Sequence, residues 1–363
     1  MKTTLSNIMN NLCYSLVGIT CLTGFTQTAY ADNATLPYWK DIQTVSVNRE
    51  APRSAFMTYA DKAQATTGDY EKSSYYQLLN GTWKFYFTES YTQLPANITD
   101  PAISTADWKD IKVPGNWEMQ GFGTAIYTNH GYEFQPRNPQ PPQLPENTPV
   151  GVYRRDITIP DNWKGRDIYL HIAGAKSGCY VYLNGKEVGY NEDSKNPAEY
   201  LINEYLQPGN NVLTLKIFRW STGSYLECQD FWRISGIERD VFIYSQPKAS
   251  VQDFRITSTL DDSYRNGIFR LQIDLKNHRT STANLSVSYE LTDKNGKTVA
   301  SEEQPAQVEN GKLTTVSFSK ELPQVATWTS EAPNLYKLYM TVKENGKVSE
   351  VIPYNVGFRR IEI

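Results

Sequence analysis

Residues 179–190 read Cys-Tyr-Val-Tyr-Leu-Asn-Gly-Lys-Glu-Val-Gly-Tyr, and this stretch decides the fold. Two runs of strand-forming residues flank Asn184-Gly185, a dipeptide that suits a two-residue hairpin turn because both positions tolerate a positive φ. Comparable short runs lie on either side, at 152–159, 167–172 and 211–220. Helical periodicity is hard to find after residue 75. The chain is therefore predicted to be all-β.

The N-terminus has the pattern of a secretory signal peptide. Lys2 gives a positive start, residues 12–25 are largely apolar and uncharged, and Ala29-Tyr30-Ala31 offers a cleavage site. With cleavage after Ala31, the mature chain begins at Asp32. The exported protein is then expected in the periplasm or in the medium. No later stretch approaches the ~20 apolar residues of a membrane span. The expected product is an exported protein that does not span a membrane.

The charge of the chain argues against nucleic-acid and membrane partners. The formal net charge is −3, with 36 basic and 39 acidic residues, and without Lys2 it becomes 35 minus 39, or −4. There is no basic stripe, so neither a nucleic acid nor an anionic membrane is expected as a partner.

Cys179 and Cys228 remain after removal of the signal peptide, and an oxidising compartment permits one disulfide bridge between them. Two independent thiols are the favoured interpretation.

The mature chain, roughly 330 residues, is long enough for two domains. Residues 32–70 lack strand alternation and are expected to wrap over the first domain. Residues 71–246 are predicted to form a jelly-roll β-sandwich of the galactose-binding type. After a linker at 245–250, residues 247–361 carry about seven short strands, typical of an immunoglobulin-like β-sandwich.

The run from Phe218 to Asp240 interleaves aromatic rings with arginines and carboxylates, the residue types that a sugar site needs. Within it, Asp230 lies between Gln229 and the ring pair Phe231-Trp232. A carboxylate beside rings is partly desolvated and must find a cation, a donor or a hydroxyl group. Two interpretations stay open: an ion pair with Arg233 or Arg239, or a ligand role.

Other candidate residues also have two interpretations. The Asn129 amide suits sugar hydroxyls, but Asn at a strand end is often a turn former. Trp117 is either a stacking platform or a core residue, and Glu227 is expected to be a solvated loop carboxylate. The three histidines share no metal-ligand spacing, and no nucleophile elbow, zinc-protease motif or phosphate loop occurs.

Several long motifs occur in an order that resembles the N-terminal part of a family 2 glycoside hydrolase of the large bacterial β-galactosidase type. The resemblance runs from near Trp39 to the last residue. Its motifs are Leu-Asn-Gly-Thr-Trp-Lys-Phe at 79–85, Val-Pro-Gly-Asn-Trp-Glu-Met-Gln-Gly at 113–121, Ile-Tyr-Thr-Asn at 126–129, Asn-Gly-Lys-Glu-Val-Gly-Tyr at 184–190, the run 218–240, Ala-Pro-Asn-Leu-Tyr at 332–336 and Val-Gly-Phe-Arg-Arg-Ile-Glu-Ile at 356–363.

The resemblance implies a sugar-binding jelly roll, then an immunoglobulin-like domain, and in the family a (β/α)8 barrel with both catalytic glutamates. That barrel is not present in this chain, so no catalytic residue is assigned and the chain alone is expected to be inactive. By the same resemblance, Asn129 contacts substrate, and Asp230 binds galactosyl hydroxyls and a sodium ion. Cys228 and Thr222 stand where relatives have acidic residues. No cofactor is expected on this chain alone; the full-length family uses sodium, and magnesium in the barrel.

Three hypotheses about the whole protein follow from this resemblance. The chain is a truncated β-galactosidase-type enzyme, a free-standing exported carbohydrate-binding module, or a fragment that associates with a separate catalytic barrel. The expected ligand is a β-galactoside or another β-linked glycan in each case. Homo-oligomer formation stays open.

Overall fold

The computed structural model describes residues 36–135 and 137–362, so the predicted signal peptide lies outside the described residues. These residues form two consecutive β-sandwiches with little helix, which confirms the predicted all-β class. The two α-helices of the described part are short: α1 (Lys62–Thr66) and α2 (Ser224–Glu227). None of its helices is long and apolar enough to cross a membrane.

Sixteen strands build the first sandwich and the loops around it. They are β1 (Ser46–Val47), β2 (Tyr76–Leu78), β3 (Gly81–Thr88), β4 (Lys109–Val113), β5 (Gly115–Asn116), β6 (Ile126–Thr128), β7 (Val150–Thr158), β8 (Asp167–Ile172), β9 (Ala175–Lys176), β10 (Gly178–Leu183), β11 (Lys186–Asn191), β12 (Ala198–Leu201), β13 (Asn210–Phe218), β14 (Phe231–Arg233), β15 (Gly236–Ile237) and β16 (Val241–Gln246).

Two antiparallel sheets of this domain bury a common core. The larger has the order β1-β11-β10-β13-β7-β3-β4, and the smaller has the order β12-β8-β16-β2. Val181 and Leu215 of the larger sheet share one apolar cluster with Leu170 and Ile243 of the smaller sheet. The non-sequential strand order and the two layers agree with the predicted jelly roll.

The hairpin predicted around Asn184-Gly185 is present in the structure. Asn184 and Gly185 have φ of 54° and 80°, and Leu183 pairs with Lys186 across the turn. The register then shifts between Val181 and Tyr182, where a bulge interrupts the ladder. The turn dipeptide therefore set the hairpin, whereas the bulge carried no sequence signal.

Seven strands form the second sandwich, in agreement with the predicted number. They are β17 (Ala249–Leu260), β18 (Gly267–Asn277), β19 (Ala283–Thr292), β20 (Thr298–Val308), β21 (Leu313–Leu322), β22 (Tyr336–Glu344) and β23 (Lys347–Val356). The sheets have the orders β17-β18-β21 and β20-β19-β22-β23, as in an immunoglobulin-like fold. Only Pro247 and Lys248 lie between β16 and β17, so the linker is shorter than the sequence suggested.

The N-terminal segment contacts both sandwiches and not the first alone. Trp39 is buried in an aromatic cluster outside the larger sheet of the first sandwich, where its ring stacks 4.7 Å from that of Phe218. Further along, Tyr59 pairs with Val351 of β23 through backbone hydrogen bonds of 2.9 Å. The segment has no core of its own, so burying its aromatic residues requires both domains.

Candidate functional site

A two-stranded ribbon of β6 and β14 brings the two sequence-predicted site residues together. Tyr127 lies opposite Trp232, and Thr128 lies opposite Phe231. Asn129 directly follows β6 and Asp230 directly precedes β14, so both residues lie at the same end of the ribbon. Directly opposed side chains of an antiparallel pair lie on the same face. Tyr127 and Trp232 therefore share one face, and the Tyr127 hydroxyl bonds Asp230 at the end of that face.

This shared face is open to solvent. The side chains of Tyr127 and Trp232 are 57% and 53% exposed, and Asn129 and Asp230 are exposed as well. The two rings meet edge to face, with centroids 5.7 Å apart and an interplanar angle of 63°. We refer to these four side chains as the ribbon face. It combines two aromatic rings, one amide and one carboxylate.

Asp230 does not form the ion pair that the sequence offered as an alternative. Its Oδ1 accepts a hydrogen bond of 2.7 Å from the Tyr127 hydroxyl. Arg233 pairs instead with Glu133, and Arg239 donates to the Lys195 carbonyl. The Asp230 bond raises the pKa of Tyr127, because ionising the phenol beside a carboxylate is unfavourable. The other carboxylate lone pairs of Asp230 remain available to a ligand.

Asn129 keeps its donors free among the described residues. Its Oδ1 lies 2.7 Å from Nδ1 of His130, and no protein acceptor is found for its amide NH2 group. An exposed amide next to a carboxylate can donate to one sugar hydroxyl while the carboxylate accepts from another. The two predicted residues therefore present complementary hydrogen-bonding groups.

Arg233 holds the ends of the ribbon from its buried side. Its guanidinium, on a side chain 2% exposed, donates to the carbonyls of Gln229 and Gly131, which flank the two site residues. Its Nε lies 3.2 Å from Oε2 of Glu133. Sequence reasoning missed this role and considered Arg233 only as a partner for Asp230. Period-two alternation could have separated the two residues, since positions an odd number of residues apart in an extended chain point to opposite faces.

Phe231 lies on the opposite face of the ribbon from Trp232, and two lysines approach its ring. Nζ of Lys176 is 4.7 Å from its ring centroid, and Nζ of Lys195 is 5.6 Å away. Lys176 is 6% exposed, and its ammonium finds no hydrogen-bond partner among the described residues. Burial, reinforced by the charge of Lys195, lowers the pKa of Lys176. No sequence motif pointed to this buried cation.

Four further residues considered from the sequence lie outside the ribbon face. Trp117 is fully buried in the first core, which decides against a stacking platform. Glu227 is not a solvated carboxylate, because it accepts hydrogen bonds of 2.8 and 2.5 Å from the amide and hydroxyl of Ser194. Cys179 and Cys228 are both free, as favoured from sequence. Burial raises the pKa of each thiol to about 12.

The described residues do not by themselves form a cation site at Asp230. No group of three or more His, Cys, Asp or Glu side chains converges anywhere in residues 36–135 and 137–362. The ribbon face offers one carboxylate, whereas a sodium ion needs several oxygen ligands. A cavity of about 450 Å³ lies away from the ribbon face, between residues 49–56 and the small sheet around His171 and Phe242.

Two family models match this chain over most of its described length. "Glycosyl hydrolases family 2, sugar binding domain" matches residues 76–247, and "Glycosyl hydrolases family 2" matches residues 249–359. The chain belongs to glycosyl hydrolase family 2. The two matched regions of this family 2 chain correspond to the two sandwiches, and the ribbon face lies in the first.

Curated relatives of the family 2 chain are named β-galactosidase. The Priestia megaterium protein is 36% identical over 332 residues, which cover 90% of this chain and 32% of the relative. The Lactobacillus delbrueckii subsp. bulgaricus protein is 33% identical over 333 residues, which cover 92% and 32%. The family 2 chain thus spans about a third of the length of these relatives.

Solved structures agree on the fold. A Bacteroides uniformis β-glucuronidase matches with a TM-score of 0.65 at 20% identity, covering 78% of this chain and 32% of that chain. A Bifidobacterium dentium β-glucuronidase complexed with coumarin-3-O-glucuronide matches with a TM-score of 0.60 at 18% identity, covering 80% and 50%. At these identities the likeness concerns the arrangement of the two sandwiches only.

Proposed function

We propose that this family 2 chain supplies the non-catalytic edge of the sugar site of an exported β-galactosidase-type glycoside hydrolase. The observation that carries the proposal is the ribbon face, where Asn129 and Asp230 lie at the same end of the ribbon, are exposed and form no ion pair with the described residues. Relatives at 33–36% identity are named β-galactosidase, which supports a terminal β-galactosyl group as the ligand.

Recognition follows from the hydrogen-bonding capacity of the two residues. Asp230 accepts from sugar hydroxyls with the lone pairs that Tyr127 leaves free, and the Asn129 amide donates to a neighbouring hydroxyl oxygen. The Tyr127 bond fixes the carboxylate before the sugar arrives, which reduces the entropy lost on binding. Arg233 adds rigidity by holding the backbone on both sides.

Hydrolysis is not assigned to the residues of this chain. Retaining glycosidases need an acid and a nucleophile with carboxyl groups about 5–5.5 Å apart. Asp230 hydrogen-bonds to a phenol on an exposed ribbon, and no hydrogen bond joins it to a second carboxyl group among the described residues. The proposed division of labour places both catalytic carboxylates on a (β/α)8 barrel, supplied by a longer form of this protein or by a separate chain.

Ligand-observed NMR with methyl β-galactoside tests the proposal at the weak affinity expected of a single site edge. Saturation transfer from the chain should label the galactosyl ring, and Asp230→Asn should weaken binding by ~10- to 100-fold, because hydrogen bonds to charged groups contribute ~1.5–3 kcal/mol. Asp110→Asn is the matched control, since Asp110 is exposed and pairs only with exposed Lys84. Equal binding by the wild type and by Asp230→Asn would contradict the assignment.

Activity assays address the division of labour. The purified chain should not cleave a nitrophenyl β-galactoside, and addition of a family 2 barrel fragment should restore turnover. Steady turnover by the chain alone that survives Asp230→Asn would place the chemistry elsewhere in this chain.

A free-standing carbohydrate-binding module is the second candidate, and the solvent exposure of the ribbon face favours it. This alternative requires tight binding without a barrel. A dissociation constant well below 1 mM, an affinity stronger than about −4 kcal/mol, would support the module. Millimolar or weaker binding fits a site edge that other residues complete.

Export is proposed from the sequence pattern of residues 1–31 alone. N-terminal sequencing of the protein recovered outside the cytoplasm should begin at Asp32. Recovery of an intact Met1 terminus from the cytoplasmic fraction would contradict export.

A further inference from the structure

The ribbon face carries more than the two predicted site residues. Trp232 lies two residues after Asp230, so their Cα atoms are at most about 7 Å apart at ~3.3 Å per residue. Its ring is 53% exposed and lies edge to face with Tyr127, which itself holds Asp230. Single exposed apolar side chains need no explanation, but two adjoining rings in register with a carboxylate form a distinct patch.

The patch is held rigidly from below. Phe231 and Arg233, the strand neighbours of Trp232, point to the buried face, where Phe231 lies against the ammonium groups of Lys176 and Lys195. Arg233 is 2% exposed and is fixed by Glu133 and two backbone carbonyls. Because both neighbours are anchored, the backbone of Trp232 is fixed before a ligand arrives, and little ordering entropy remains to be lost.

The chemistry of the patch indicates what it contacts. The C–H face of a pyranose ring is apolar and packs against an aromatic ring, while its hydroxyls need polar partners at the side. Asp230 supplies the polar partner, and Trp232 supplies the apolar surface about one sugar length away. Asp230 is also the only charged side chain of the ribbon face. An acidic sugar at that position would meet a like charge, so the face favours neutral sugars.

We propose that Trp232, with Tyr127 at its edge, is a second sugar-contacting position that stacks on the sugar next to the one held by Asp230. The chain then selects neutral β-linked oligosaccharides over the monosaccharide, and it disfavours uronic acids. This inference rests on the proposed function, because it assumes that Asp230 holds the terminal sugar.

Ligand-observed NMR with a series of glycans tests the inference on the full chain. The probes are methyl β-galactoside, a neutral β-linked galactobiose and the corresponding disaccharide with a uronic acid at the terminal position. Saturation transfer in galactobiose should reach both rings, and galactobiose should bind about 3- to 10-fold more tightly than the monosaccharide. The acidic disaccharide should bind more weakly than galactobiose.

Variants separate the second sugar position from the first. Trp232→Ala should weaken galactobiose binding more than monosaccharide binding, so that the gain from the second sugar disappears, and Trp232→Tyr should recover part of the gain. Leu226→Ala is the matched control, because Leu226 lies in α2 outside the ribbon face, is 85% exposed, and its truncation also removes exposed apolar surface. Asp230→Asn should weaken both ligands equally.

Two outcomes would overturn the inference. One is a galactobiose affinity equal to that of the monosaccharide. The other is a length gain that survives Trp232→Ala; if that variant also fails to associate with a catalytic barrel, Trp232 belongs to a protein interface. If Asp230→Asn leaves every ligand unaffected, the proposed function itself fails, and that result is distinct from the other two.

Discussion

Arg53 and Glu199 form a clamp that fastens the N-terminal segment to the first sandwich, and we expect the loss of this clamp to be costly. Nε and Nη2 of Arg53 each lie 2.8 Å from a carboxylate oxygen of Glu199, and Nη2 also donates to the Tyr244 hydroxyl at 2.9 Å. Nδ1 of His171 lies 2.8 Å from Oε1 of Glu199. Both side chains of the ion pair are only 10% exposed, so solvent screens them little.

The pKa of Glu199 gives the magnitude. Burial opposes ionisation of this carboxyl group, but the hydrogen bond from His171 and the charge of Arg53 outweigh it and lower the pKa from 4.5 to about 2. A carboxyl group whose pKa is lower in the folded state than in the unfolded state stabilises the fold at pH values above its unfolded pKa, here 4.5. This stabilisation is lost as the pH falls towards 2. At ~1.4 kcal/mol per pKa unit, the ionised group contributes about 3 kcal/mol.

Arg53→Met keeps an unbranched side chain and removes the charge. We expect the free energy of unfolding to fall by ~3 to 5 kcal/mol at neutral pH, because the carboxylate stays buried after losing its partner. The double variant Arg53→Met/Glu199→Gln should recover part of this loss, since no buried charge remains. Arg49→Met is the control, because Arg49 lies 3.4 Å from the more exposed Asp193.

Urea denaturation, followed at neutral pH and again in acid, measures both quantities. The wild type should lose stability as the pH falls from 4.5 towards 2, and Arg53→Met should lose less over the same range. A loss below ~1 kcal/mol for Arg53→Met at neutral pH would refute the clamp, since that is the size of an exposed pair. An unchanged acid dependence would refute the assignment of the pKa shift to Arg53.

Three further variants test other parts of the structure. Gly151→Ala places a Cβ 2.5 Å from the Trp117 ring, so thermal unfolding should show a loss of ~1 to 3 kcal/mol; an unchanged melting temperature would mean that the ring has room to move. Burial raises the pKa of Glu350, which makes the wild type lose stability as the pH rises above 4.5; Glu350→Gln should remove this slope in denaturation curves, and a persisting slope would point to another group. Arg233→Met should abolish galactoside binding in NMR titrations although Asp230 is retained; wild-type affinity in a folded variant would exclude the positioning role.

Local patterns were sufficient to predict the fold class. The Asn184-Gly185 turn, the alternating runs and the seven strands of the second domain depend on backbone conformation and on period-two burial, both of which a short stretch of sequence encodes. Two domains were expected from chain length, and their order was inferred from the linker at 245–250, from strand spacing and from the family resemblance. The path of the N-terminal segment could not be predicted from the sequence, because contacts such as that of Tyr59 with Val351 join residues far apart in the chain.

Partner choice among charged groups was less predictable. The sequence placed Asp230 close to Arg233 and Arg239, but Arg233 lies three residues away on the buried face of β14 and pairs with Glu133. Glu227 accepts hydrogen bonds from Ser194, and no sequence pattern predicted that these two residues lie close together. The sequence did not decide whether Trp117 is a surface or a core residue. In the structure Gly151 has no Cβ and so leaves space for the buried Trp117 ring.

The sequence alone determined that the chain is all-β, that it resembles family 2, and that Asn129 and Asp230 are the residues to test. Only the tertiary structure decided that they lie at the same end of one ribbon, that Tyr127 orients the carboxylate and that Trp232 lies opposite Tyr127. The physical reason is the register of β6 and β14. A shift of one residue would turn the same side chains into the core, and that register is set by long-range pairing and by burial of Arg233.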